Sequence, residues 1–240
     1  MAIRPGLLVR LDGVNGSGKS TLQRVIAGAA VPTAGKIAGR PVTGYVPERF
    51  PPALPFSPRE YLTHLGGMYG LRGKALPGRI DECLARLGAA EYADIPFRRL
   101  SQGTCQKAAI AQALLPHPGL LVLDEAWTGL DAAARESLDA IVIERVAEGG
   151  TVIFVDHDTS RLAALPQQRL ELSGGQLHEL RAPLGGAAAL TSAISPASAA
   201  LRGSGAVSQG SSWLPGLPLG VAVALIAIAW AASAAAARRG

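Results

Sequence analysis

Apolar residues in this chain alternate between short unbroken runs and stretches with helical spacing. Leu7 to Leu11 is an apolar-rich run of strand length, a glycine-rich segment follows, and Ser20 to Ala30 has helical composition. Thr33 to Gly44 is rich in Gly, Pro and Lys and predicts turns and short strands, and Tyr45 to Pro47 opens a proline-studded crossing. Between Ser57 and Arg99 the spacing predicts helices, with Ser57 as an N-cap before Pro58 and with Glu60 in the first turn. Gln106 to Leu115 is a further helix, stopped by Pro116 and Pro118. Leu120 to Leu123 suits a strand buried on both faces, Ala132 to Ala147 a helix, and Thr151 to Val155 a second buried strand. Arg169 to Leu172 and Leu177 to Leu180 flank a Ser-Gly-Gly turn and predict a hairpin. Strands alternating with helices imply an α/β fold with a mostly parallel sheet and a helical insertion.

Past Leu180 the pattern changes. Ala, Gly, Ser and Pro dominate to about Trp213, which is linker composition, and Leu217 to Ala237 contains no charged residue and is long enough to cross a bilayer as a helix. The expected organisation is a folded domain at 1–180, a linker at 181–213 and a membrane helix with its tail at 214–240. The charge follows this division. Four of the 23 basic residues, Arg181, Arg202, Arg238 and Arg239, lie beyond residue 180 without an acid, leaving 19 against 18 acidic residues before it. A near-neutral domain speaks against a nucleic-acid partner. Cys83 and Cys105 have no metal-ligand or redox spacing and are expected as reduced thiols. No secretory signal opens the chain, so the folded domain is expected on the cytoplasmic side.

Two segments carry recognisable chemistry. Gly13-Val14-Asn15-Gly16-Ser17-Gly18-Lys19-Ser20, with Thr21, fits a loop whose glycines let backbone N–H groups curl around phosphates at a helix start. Lys19 would reach the β and γ phosphates of ATP, and Ser20 would ligate Mg²⁺. Leu120 to Leu123 runs into Asp124 and Glu125, the first suited to Mg²⁺ and the second to polarising a water for attack on the γ-phosphate.

With these in place, residues 5 to about 180 resemble the ATP-binding cassette (ABC) ATPases. Leu100-Ser101-Gln102-Gly103-Thr104, followed by Gln106-Lys107, looks like the signature motif of that family; Gly129-Leu130-Asp131 resembles its D-loop, and His157 its switch histidine. The resemblance implies a P-loop ABC ATPase core with an inserted helical subdomain at about 50–107. It also implies ATP hydrolysis with Glu125, His157 and Asp131 as catalytic residues, and Ser101, Gln102 and Gly103 binding ATP in trans within a head-to-tail pair of such domains. A separate integral-membrane permease is the implied second partner, at the cell membrane. Leu172-Ser173-Gly174-Gly175-Gln176 spells the commonest form of the signature, but its place after His157 and between two alternating segments assigns it to the hairpin turn.

Three departures from the family pattern stand out. Glu48 occupies the place of the usual glutamine and would bring a carboxylate toward Mg²⁺. Only twelve residues precede Gly13 and none is aromatic, so the N-terminal antiparallel strands and the adenine platform are expected to be truncated. The apolar C-terminal segment is unusual for a subunit recruited by a permease. The stretch from Ser57 to Leu71 resembles the exporting branch of the family, so export of a drug or peptide is the expected direction. Two alternatives remain: a degenerate cassette acting as a nucleotide-binding regulator, and a soluble ABC ATPase acting on nucleic acid or ribosomes.

Overall fold

The computed structural model describes residues 3–180. The linker and membrane helix expected at 181–240 lie outside the described residues, and among the described residues no helix is long and apolar enough to cross a membrane.

Leu8–Asp12 (β1), Thr43–Val46 (β2), Leu120–Asp124 (β3), Thr151–Val155 (β4), Gln168–Ser173 (β5) and Gln176–Leu180 (β6) form one sheet in the order β2-β3-β4-β1-β5-β6. Neighbouring strands are parallel throughout, except that β5 and β6 are antiparallel. The helices are α1 (Lys19–Ala27), α2 (Pro58–Met68), α3 (Ala75–Arg86), α4 (Gln102–Leu114) and α5 (Ala132–Ala147). β3 and β4 read as continuous apolar runs because both of their faces are covered. Leu120 and Val122 point into one layer with Val9, Leu11 and Ala27, while Leu121 and Leu123 point into the other with residues of α2 to α5. β1 sits between β4 and β5, so the loop leaving its C-terminal end emerges beside the ends of both.

The helical insertion starts at a complete capping box. The Ser57 hydroxyl accepts from the Glu60 N–H at 3.3 Å, and the Glu60 carboxylate accepts from the Ser57 N–H at 2.8 Å, which holds its pKa below the ordinary value. Leu62 and Leu65 of α2 are buried with Ile80 and Leu84 of α3, and Phe50, Tyr61 and Phe97 pack edge-on or tilted with ring centroids 5.1 to 5.7 Å apart. Tyr61 donates to Gln112 at 2.5 Å, fastening the insertion to α4.

Three expectations shift in detail. α4 begins four residues earlier than its apolar spacing suggested, because Ser101 caps it and Gln102–Thr104 continue the helix without contributing to its buried face. Between Thr33 and Gly44 the only strand residues are Thr43 and Gly44, the start of β2. α1 stops at Ala27, where Gly28 turns left-handed (φ 80°) and returns its N–H to Arg24 and Val25 carbonyls.

Candidate functional site

β1 delivers the chain into the phosphate-binding loop, and α1 carries it away. Gly13 has φ 149°, and a Cβ there would lie 2.6 Å from the Leu172 carbonyl oxygen and 2.9 Å from the Ser17 hydroxyl, so only glycine fits between the loop and β5. Gly16 and Gly18 are left-handed at φ 79° and 101°, and Ser17 N–H closes the turn on the Val14 carbonyl at 3.1 Å. These turns expose Val14, Asn15 and Gly16 at the rim of the loop, ahead of the first turn of α1. The Lys19 ammonium donates to the Gly13 carbonyl at 2.7 Å and to the Val14 carbonyl at 3.1 Å, which leaves one of its three protons for a phosphate oxygen. Thr21 faces outward and accepts from Arg24 at 3.3 Å.

The end of β3 lies under this loop. Ser20 Oγ donates to Asp124 Oδ1 at 3.1 Å, and Gln23 of α1 donates to the Leu123 carbonyl at 3.0 Å, so two side chains of α1 are pinned to the strand end. Asp124 is almost fully buried. Burial raises its carboxyl pKa, the Ser20 hydroxyl works against that, and the neighbouring Glu125 and Glu48 carboxylates add to the rise. The hydroxyl of Tyr45 is pushed up as well, first by burial and next by Asp124. A hydroxyl and an undercompensated buried carboxylate are hard oxygen donors that suit Mg²⁺. Among the described residues no group of three or more His, Cys, Asp or Glu could hold a metal by itself. Ser20 and Asp124 would supply two oxygen ligands to such an ion. Glu48 stays half exposed, 3.4 Å from Arg49, close enough to act on Asp124 through its charge.

Glu125 follows with φ 51°, a left-handed backbone that a non-glycine residue rarely adopts, and its N–H is held by the Val155 carbonyl at 3.1 Å. The turn brings its carboxylate to His157 Nε2 at 2.8 Å. Glu125 and His157, assigned separately in the sequence, therefore form one pair.

Ser101, Gln102 and Gly103 lie elsewhere. Ser101 caps α4, accepting from the Thr104 N–H at 3.1 Å and sharing a 2.9 Å bond with the Thr104 hydroxyl. A Cβ on Gly103 would come within 2.5 Å of the Gly129 carbonyl oxygen, so the start of α4 rests on the D-loop. Asp131 caps α5 by accepting from the Ala134 N–H at 2.8 Å, and it pairs with Lys107 of α4 at 2.6 Å. The Lys107 bond, followed by the Ala134 N–H, holds the Asp131 carboxyl below its usual pKa. Among the described residues no hydrogen bond joins Ser101, Gln102 or Gly103 to the phosphate loop. Tyr45 and Lys107 are site neighbours that the sequence did not single out. Lys107 had a signal, since it closes the signature-like stretch, but nothing in the order of residues pairs it with Asp131.

A family model described as "ABC transporter" matches residues 1–128. The zinc import ATP-binding protein ZnuC of Halorhodospira halophila is 33% identical over 74% of this chain and 67% of its own length. The spermidine/putrescine import ATP-binding protein PotA of Frankia alni is 36% identical over 76% of this chain, which spans only 42% of that protein. The aliphatic sulfonates import protein SsuB of Mycobacterium avium is 35% identical over 75% of this chain and 72% of its own. A solved ATP-binding subunit of an ABC transporter superposes with a TM-score of 0.64 at 26% identity, over 75% of this chain and 81% of that one. All three curated relatives are import subunits, which corrects the export expectation drawn from Ser57 to Leu71. The residues that suggested export serve local structure: Ser57 and Glu60 build a helix cap, and Tyr61, Leu62 and Leu65 fill the core. Such roles say nothing about the direction of transport.

Proposed function

This chain is an ATP-binding domain of the ABC transporter family, and hence an ATPase, and from that premise we propose that it hydrolyses Mg-ATP to drive transport through a separate membrane-embedded permease. The observation that carries the reading is the Ser20–Asp124 bond lying beside the Glu125–His157 pair at the mouth of the phosphate loop. Loop N–H groups and Lys19 bind the β and γ phosphates, and Ser20 with Asp124 would hold Mg²⁺, with Glu48 adding charge nearby. When bound, Mg²⁺ offsets the negative charge on the phosphate oxygens. Glu125 aligns a water on the γ-phosphorus and accepts its proton as the new P–O bond forms and the bond to the β-phosphate oxygen breaks. His157 keeps Glu125 oriented and faces the γ-phosphate.

Ser101, Gln102 and Gly103 act on the γ-phosphate held by a second ABC ATPase domain. A capped helix start with a hydroxyl and glycine N–H groups is an anion site, and this one packs closely against the Gly129 carbonyl of its own chain, with no hydrogen bond among the described residues to its own phosphate loop. Asp131 lies at that same surface. The import relatives favour uptake over efflux. The cargoes in the names of these relatives, zinc, spermidine or putrescine, and aliphatic sulfonates, differ in charge and size, which supports a reading in which the permease selects the cargo.

Mg-dependent phosphate release by the wild type and by Glu125→Gln tests the reading. Loss of a general base is expected to lower turnover by about 10²–10⁴-fold while ATP binding is retained. Full-rate release by Glu125→Gln would overturn the assignment of the base, and no Mg-dependent release from either protein would overturn the reading in favour of a non-catalytic regulator.

A further inference from the structure

The loop carrying His157 is clamped by two arginines to which ATP binding and hydrolysis assign no role. Arg10 lies in β1, three residues before the phosphate loop begins, and its side chain is only 3% exposed. Its guanidinium donates to the main-chain carbonyls of Asp156 at 2.8 Å, Asp158 at 3.2 Å and Arg161 at 3.5 Å, and its Nε donates to Asp12 Oδ1 at 2.9 Å. It also stacks over Phe154, 5.4 Å from the ring centroid. Asp12 is gripped from the other side by Arg169 of β5 at 2.7 and 3.0 Å. Arg161 closes the far end of the loop. It pairs with Asp139 at 3.0 Å, faces Asp156 and Asp158 at 3.5 Å, and lies over Trp127, whose indole donates to the same Asp139 at 2.8 Å.

His157 itself is loosely held. Its side chain is 64% exposed, and among the described residues its one polar partner is Glu125. Whatever fixes the histidine must therefore act through the backbone of its loop. A buried guanidinium is costly unless its donors are used, and its planar fork is suited to holding several carbonyls in one arrangement. An aliphatic residue would fill the same space without reaching the loop.

We propose that Arg10 is a positioning residue for ATP hydrolysis. It fixes the main chain of 156–161 so that His157 stays on Glu125, and it sets that loop in register with the strand that carries the phosphate loop. Arg10 touches neither nucleotide nor reacting atoms. The proposal rests on the assignment of Glu125 and His157 to water activation.

The test is steady-state ATP hydrolysis and equilibrium Mg-ATP binding by the full chain, as wild type, Arg10→Met, Arg10→Lys, His157→Ala and the Arg10→Met/His157→Ala double variant. Arg10→Met is expected to lower kcat by about tenfold or more, with KM and Kd for Mg-ATP within roughly twofold of wild type. Arg10→Lys recovers only part of the rate, because one ammonium cannot span three carbonyls. In the His157→Ala background Arg10→Met has no further effect. A folded Arg10→Met with wild-type kcat, or one that multiplies the His157→Ala loss in full, overturns the proposal. Should circular dichroism show Arg10→Met unfolded, Arg10→Gln and Arg10→Lys carry the same comparison. A full-rate His157→Ala brings down the underlying assignment and the proposal with it. A slow His157→Ala beside a fast Arg10→Met brings down the proposal alone.

Discussion

Two stretches of this chain are spelled almost alike and end in opposite structures. Leu100-Ser101-Gln102-Gly103 starts a helix, whereas Leu172-Ser173-Gly174-Gly175-Gln176 turns a hairpin at the edge of the sheet. After Ser101 come residues whose apolar positions suit a helix, and Cys105 to Leu114 are buried as α4; the serine therefore serves as a cap with its hydroxyl on the Thr104 N–H. After Ser173 come two left-handed glycines, φ 56° and 75°, and then the alternating pattern of β6. Two such residues make the turn whose twist matches a two-residue hairpin. The meaning of a short motif is thus set by the period of the residues downstream of it. The second stretch has a different use: Leu172 forms the wall against which Gly13 fits.

The largest effect that could break this contrast is on turnover. Ser101→Arg is expected to lower ATP hydrolysis by about 10²–10³-fold, the scale for losing a γ-phosphate donor, with Mg-ATP binding to the phosphate loop intact. Ser173→Arg should stay within roughly twofold of wild type, as for an ordinary surface change. The reverse ranking in a phosphate-release assay would exchange the two assignments. Smaller, and read from urea unfolding, is the effect of Gly103→Ala, whose new methyl meets the Gly129 carbonyl and should cost about 1–3 kcal/mol. Gly174→Asn should cost well under about 1 kcal/mol, since asparagine tolerates the left-handed region.

Below that comes the cap. Ser101→Ala should remove about 1 kcal/mol of stability, against less than about 0.5 kcal/mol for Ser173→Ala. The smallest expected signal is a titration. Asp131 has a lowered pKa chiefly because of Lys107, a residue of the helix that follows the first stretch and has no counterpart after the second. Its stabilising contribution is therefore present above the ordinary carboxylate value and lost as pH falls through the lowered one. Lys107→Met should move the Asp131 carboxyl resonance, followed by carbon NMR, to titrate at higher pH. An unmoved resonance would separate α4 from the D-loop.

Local chemistry made much of this molecule legible. The left-handed glycines of the phosphate loop, the capping box at Ser57 and Glu60, the two-faced burial of β3 and β4 and the glycine turn at Gly174 each follow from a few consecutive residues. Pairings between distant segments did not. Arg10 meets Asp156, Gln23 meets Leu123 and Lys107 meets Asp131 only because the sheet order and helix placement bring them together, and no periodicity encodes that. Arg10 could be read in advance only as a charged interruption of a buried strand. The stretch from Ser57 to Leu71 was no guide to the direction of transport for a related reason: its residues build a helix cap and the core.

The left-handed backbone at Glu125 has a consequence for how this chain responds to selection. Holding a non-glycine residue there costs on the order of 1–3 kcal/mol, and glycine would relax it. A screen for thermal tolerance alone should therefore favour Glu125→Gly, gaining melting temperature while discarding the carboxylate proposed to activate water. On that assignment, the strain at this position is stability given up for work.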